Sequence, residues 1–204
     1  MTIGGDLSIA TGCTFNGGTS RTHIFRGNWT NNGTFAFTTA CTASYAATSG
    51  TSKNINGTAN TAFTNVTFGP SVTCTYNIAP TTVTNPRFNM SGTLTVNSPA
   101  TIIPLAGITI GNNGAAATAI TGTGDIHVTK ITATPDYASQ YLFTTNTVTN
   151  LAVEYSGAGA QNINHSGGTI RQLRTSGSGV KTMVTTATLN ATTGVSCSGT
   201  ATLT

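Results

Sequence analysis

Thr93-Leu94-Thr95-Val96-Asn97 sets Leu94 and Val96 on one side of the chain and Thr93, Thr95 and Asn97 on the other, the two-residue period of a half-buried strand. The same alternation runs through Asn65-Val66-Thr67-Phe68, Ile108-Thr109-Ile110 and Ile126-His127-Val128-Thr129-Lys130-Ile131. Between such runs lie Asn31-Asn32-Gly33, Asn56-Gly57, Gly69-Pro70, Gly111-Asn112-Asn113-Gly114 and Ser166-Gly167-Gly168, residue types that accept positive φ or fix a turn. No segment offers an apolar stripe at helical spacing with caps over three turns, so essentially no α-helix is expected. The nearest approach to one is Gly114–Ile120.

Composition points the same way. Of 204 residues, 46 are Thr, 15 Ser, 19 Asn and 24 Gly, and only 6% are charged, against about 25% in an ordinary soluble domain. That excludes the charged surface of a typical cytosolic enzyme. The net charge of +4 comes from Arg21, Arg26, Lys53, Arg87, Lys130, Arg171, Arg174 and Lys181, which are scattered; only Arg171 and Arg174 come close to a pair. A phosphate-tracking surface needs clustered cations, so no nucleic-acid partner is expected. The longest apolar stretch, around Thr101–Ile110, is broken by Pro104 and Gly107 and falls well short of the roughly 18 residues of a membrane helix. No membrane span is expected. Met1-Thr2-Ile3-Gly4-Gly5-Asp6 lacks an export signal although the composition reads as secreted, which predicts a mature product or an excerpt of a longer chain.

The chain also repeats itself. Ser52-Lys53-Asn54-Ile55-Asn56-Gly57 lies over Ala160-Gln161-Asn162-Ile163-Asn164-His165 at an offset of 108, and Ser91-Gly92-Thr93-Leu94-Thr95 over Ser198-Gly199-Thr200-Ala201-Thr202 at 107. Residues 1–204 therefore read as one continuous repeat array, with related blocks near 44–95 and 152–204. Very short strands, frequent turns and a dominance of Thr and Asn, which stack on their own kind, favour an all-β solenoid, a parallel β-helix, over an array of β-sandwich units. In a solenoid the main-chain bonds between coils do much of what a large apolar core does elsewhere.

Gly27-Asn28-Trp29-Thr30-Asn31-Asn32-Gly33-Thr34-Phe35, then Asn54-Ile55-Asn56-Gly57, Phe63-Thr64-Asn65-Val66-Thr67-Phe68 and Val153–Asn164, resembles the Thr/Asn/Gly-rich repeats of large secreted surface proteins of Bacteroidetes-type bacteria. The Asn-Asn-Gly-Thr turn is also similar to filamentous-haemagglutinin-like β-helices. The resemblance covers most of the chain and implies a secreted adhesin or fibre-forming protein; the four cysteines depart from its pattern.

Those cysteines, Cys13, Cys41, Cys74 and Cys197, lack the C-x-x-C spacing of a zinc or redox motif and are disulfide candidates, Cys13 with Cys41 first because they are nearest in sequence. Catalysis of the kind found on β-helices needs paired carboxylates. Asp6, Asp125, Asp136 and Glu154 are far apart in sequence, and Asp125 and Asp136 sit in turn contexts. His23, His127 and His165 form no Ser-His-Asp or His-x-x-x-His grouping. No catalytic, metal or cofactor site is assigned. Seven Asn-x-Ser/Thr sequons are what this composition yields by chance, and the Thr-rich stretch Thr185-Thr186-Ala187-Thr188 is explained as well by strand as by O-glycosylation. Trp29 and the eight Phe residues are expected to point inward. Ice binding needs Thr-x-Thr in register on successive coils, whereas Thr73-Cys74-Thr75, Thr93-Leu94-Thr95, Thr145-Asn146-Thr147 and Thr186-Ala187-Thr188 recur irregularly.

The expectation is a non-enzymatic extracellular or cell-surface structural protein that self-associates into a fibre or contributes to an adhesin, with possible contact to glycans or cell surfaces. The alternatives are a glycan- or ice-binding module on the same fold and, third, a polysaccharide-degrading β-helix enzyme.

Overall fold

The computed structural model describes residues 1–37, 40–59, 61–81, 87–111, 117–131, 136–164, 169–184 and 190–204. The turns expected at 112–114 and 166–168, the stretch 185–188 and His165 lie outside them. The chain winds as a parallel β-solenoid of about eight turns, and a full rung gives one strand to each of three faces. The second face is the longest unbroken one. Leu7–Ile9, Trp29–Asn31, Ser52–Gly57, Cys74–Pro80, Ala100–Pro104, Asp125–Val128, Ala152–Tyr155, Gln172–Thr175 and Val195–Cys197 lie side by side, nine strands deep. At about 4.8 Å per strand that makes a stack about 38 Å long.

The first face holds Thr2–Ile3, Thr22–Phe25, Thr42–Tyr45, Asn65–Phe68, Thr93–Val96 and Ala117–Gly122, and the third holds Thr14–Asn16, Thr34–Ala36, Thr61–Phe63, Arg87–Met90 and Thr109–Gly111. Tyr141–Asn146 turns the corner between them. Its first residues pair with Thr109–Gly111 and its last with Ala117–Gly122, so both faces join in one twelve-stranded sheet. Beyond it the winding continues in a two-stranded sheet, Thr169–Ile170 and Asn190–Ala191, and a three-stranded one, Gln161–Ile163, Ser178–Met183 and Thr200–Leu203. Every pairing between described strands is parallel.

Alternation in sequence becomes alternation in space. Val66 and Phe68, Leu94 and Val96, and Ile126 and Val128 are wholly buried, while the residues between them face out. The early rungs are filled by rings: Phe25 meets Trp29 at 4.7 Å, Trp29 meets Phe35 at 4.8 Å, and Phe68 meets Tyr76 at 4.8 Å. Trp29 is inward, as expected, and six of the eight Phe residues are buried. The middle rungs pass to Ile102, Ile110, Ile120 and Ile126. Each such side chain contributes about 1.5–3 kcal/mol by leaving water.

Rung length varies. Thr22 pairs with Thr42, 20 residues on, and Val66 with Leu94, 28 on. The surplus sits at corners, where the backbone turns tightly. Gly57 and Gly122 end their strands at φ 127° and 128°, and a Cβ there would strike the Asn31 and Val96 carbonyl oxygens respectively. The stretches matched in sequence at an offset of 108 fall in different sheets, Ser52–Gly57 in the nine-stranded one and Gln161–Ile163 in the three-stranded one. Their likeness is the strand chemistry common to all faces, and the unit that repeats in space is the rung.

Helix is nearly absent, as expected, and among the described residues it is confined to one short segment. Asp136–Gln140 is helical for five residues, whereas Ala117–Gly122, overlapping the segment closest to a helical pattern, is a strand. Five residues cannot hold a helix alone. Buried side chains hold this one: Asp136 accepts the Asn162 N–H at 2.6 Å, and the Gln140 carbonyl oxygen accepts the N–H groups of Thr129 and Lys130 at 2.7 and 3.2 Å.

Candidate functional site

On the second face, register places His127 beside Glu154 and Glu154 beside Arg174, all at outward positions. Asp125 lies one rung below Ala152 on the same face. Arg171 and Arg174 both reach Asp125 at 2.5 Å, and Arg174 also approaches Glu154 at 3.7 Å. His127 shares a hydrogen bond through Nδ1 with the Ser156 hydroxyl at 2.9 Å, and its Nε2 stands 3.5 Å from Glu154 Oε2. Ser176 donates to the other Glu154 oxygen at 2.5 Å. Three successive rungs thus bring together the most concentrated charge on the molecule.

Burial holds the His127 imidazole below its ordinary pKa; Glu154 and Asp125 oppose that shift and Arg174 adds to it. A neutral imidazole touching a serine hydroxyl and facing a carboxylate has the constituents of nucleophilic catalysis. The surrounding groups are otherwise engaged. The Ser156 N–H goes to the Val128 carbonyl and the Gly157 N–H to the Gln161 side-chain oxygen, each at 2.9 Å, so neither is free to meet an oxyanion. Asp125 and Glu154 face guanidinium groups in place of a substrate. What this arrangement does chemically is tie rungs to one another with opposite charges. Beside Ser156 lies an open groove of about 370 Å³ with largely apolar walls, among them Ile103, Pro104 and Leu105.

The other sequence-singled residues are dispersed. Asp6 is exposed and accepts the Asn28 N–H at 2.7 Å, a bond that holds its carboxyl below the usual range. Asp125 opens a strand, and Asp136 opens the helix fully buried; neither is the turn residue the sequence suggested. His23 is buried, bonded to the Gly17 carbonyl at 2.7 Å and set among Phe15, Phe25 and Phe37. Among the described residues no group of three or more His, Cys, Asp or Glu side chains is placed to hold a metal, and no helix is long and apolar enough to cross a membrane.

Two lysines bonded to backbone carbonyls, one buried and one half-buried, escaped sequence reading. Lys181 is fully buried and donates to the carbonyls of Gly157, Gly159 and Ser178 at 2.8 to 2.9 Å; Lys130 donates to the Ser139 carbonyl at 3.0 Å. Desolvation lowers both pKa values. A lysine inside a Gly/Ser-rich corner, as in Ser176-Gly177-Ser178-Gly179-Val180-Lys181, was the available signal.

The expected disulfides are not formed: Cys13, Cys41, Cys74 and Cys197 are free thiols, so the Cys13–Cys41 pairing is corrected. Nearness in sequence misleads here because the winding puts the two at different corners. Cys13 precedes a third-face strand and Cys41 a first-face strand, where its thiol donates to the Gly18 carbonyl at 3.0 Å. Cys74 is buried in the core on the second face, and Cys197 lies in the last rung, donating to the Ala201 carbonyl at 3.1 Å. Set beside known proteins, the chain matches no protein-family model, no curated protein and no solved structure.

Proposed function

We propose that this chain is a non-enzymatic structural rod, a segment of a fibre or of a surface adhesin that works outside the cell or at its surface. The observation that carries this reading is the unbroken parallel ladder of the second face, nine strands deep over a sealed apolar interior. Such a ladder is stiff because every rung is fixed to the next by main-chain bonds of about 0.5–1.5 kcal/mol each. It is also open to extension, since a further rung of the same kind, from a longer chain or a second copy, continues the pairing without new chemistry. Sparse charge lets like surfaces approach. The Bacteroidetes-type resemblance supports the same class of protein. The degrading-enzyme reading would rest on Asp125 and Glu154, and the arginines facing both weigh against it.

Negative-stain microscopy of concentrated protein tests the proposal, with NaCl varied between about 0.05 and about 1 M. Rods or filaments that persist across that range are expected, because screening removes only the minor, ionic part of the contact. A monodisperse globular monomer at all concentrations overturns the self-association, and dissolution by salt overturns the backbone-pairing account of it.

A further inference from the structure

The outer surface of the first face carries two side-chain ladders in register. One runs Thr2, Ile24, Ser44, Thr67, Thr95, Thr121, each paired with the next across the parallel ladder. The other runs Thr22, Thr42, Asn65, then Thr93, Ala119, Thr145, with Asn65 joined to Thr93 by a 2.9 Å bond from the Thr93 N–H. The residues between the ladders, His23, Ala43, Val66, Leu94 and Ile120, point inward and are buried. From the second rung on, the outward pairs lie two residues apart, Thr22 and Ile24, Thr42 and Ser44, Asn65 and Thr67, Thr93 and Thr95, Ala119 and Thr121; Thr-x-Thr is complete at Thr93 and Thr95, and every pair carries at least one hydroxyl.

Three properties set this surface apart. No ladder position is charged. The ladder hydroxyls make no bond to protein among the described residues, whereas on the second face outward polar groups bond to one another. And the backbone fixes the grid at about 4.8 Å between rungs and about 6.6 Å between the ladders, while threonine's branched Cβ leaves each hydroxyl and methyl few alternatives. Water bridging hydroxyls on a rigid grid loses little further entropy when it becomes ordered. Spacings of that size, repeated in two directions without a charge to impose its own hydration shell, suit the oxygen repeat of crystalline water. We propose that the first face binds ice, with the hydroxyls and methyls of Thr67, Thr95 and Thr121 at its centre. A glycan platform would ask for exposed aromatic rings, and here Phe25, Tyr45 and Phe68 on the same strands face the interior.

This inference is independent of the fibre reading, since a single rod suffices. It is tested by measuring thermal hysteresis and ice-crystal shaping with the purified chain, then with Thr95→Tyr, which raises a bulky ring on the grid, and with Thr75→Tyr, an outward position on the second face. The native chain and Thr75→Tyr are expected to depress the freezing point equally, and Thr95→Tyr to lose most of the effect at an unchanged unfolding midpoint. If Thr95→Tyr does not fold, Thr67→Lys on the same ladder gives the same reading. No hysteresis in the native chain, full activity in the first-face variants, or equal loss from Thr75→Tyr overturns the proposal.

Discussion

On the second face Asn77 donates to Ser52 at 2.9 Å and to Asn54 at 3.2 Å, Thr30 donates to Asn56 at 2.8 Å, and further along Arg174 joins Asp125 to Glu154. On the first face Thr67, Thr95 and Thr121 follow one another on the same kind of ladder and leave their hydroxyls to solvent. The two faces share rungs, backbone pairing and core. Rigidity in this molecule therefore belongs to the main chain and the inward side chains, and the outward positions are left to set the character of each face.

The largest effect should not distinguish the faces at all. Gly122→Ala at a first-face corner and Gly57→Ala at a second-face corner each force a left-handed residue, costing about 1–3 kcal/mol, and drive a Cβ into a carbonyl oxygen one rung away. Both are expected to lose about 3 kcal/mol or more in denaturant unfolding. A mild loss at one corner beside a severe loss at the other would break the claim that the faces share one backbone.

Next in size comes a difference between faces. Arg174→Gln removes the link between Asp125 and Glu154 and is expected to cost about 1 kcal/mol at low salt, shrinking as salt is raised, because these groups are partly exposed. Thr95→Val on the first face should stay within about 0.5 kcal/mol and ignore salt. Equal, salt-independent losses would mean that the charge cluster adds nothing.

Smallest is the pH effect. Because burial depresses the His127 pKa below 6.5, the unfolded chain takes up a proton on acidification before the folded one does. Stability contributed at this site is present above 6.5, declines as pH falls from there to the depressed value, and is level below it. His127→Gln should flatten that part of the native profile, measured as the difference between the two proteins. The first-face ladders hold no titratable group, so Thr95→Val should leave the profile's shape unchanged.

The strands were legible because alternation is local: Thr93-Leu94-Thr95-Val96 tells its own two sides apart without help from the rest of the chain. The ladders were not. Corner segments make rungs of 20 to 31 residues, so the outward pairs in register on the first face, of which Thr93 and Thr95 form a Thr-x-Thr, recur irregularly along the chain, and the varied residues between them turn out to be core. The charge cluster was hidden for the same reason, Glu154 lying 29 residues beyond Asp125 and Arg174 a further 20 beyond Glu154. The helix at Asp136–Gln140 left no local signature because its ends are fastened to other rungs. The cysteines were read by proximity along the chain, which a winding backbone does not preserve.

The unequal rungs also determine how the rod would answer a pull on its two ends. Force along the axis acts on the rungs in series, so they are expected to peel away singly. Each release shortens the stack by only about 4.8 Å and frees about 70 to 105 Å of chain, according to whether the rung holds 20 residues or 31. A tether built this way yields in long, uneven steps and dissipates load while most of its length stays folded.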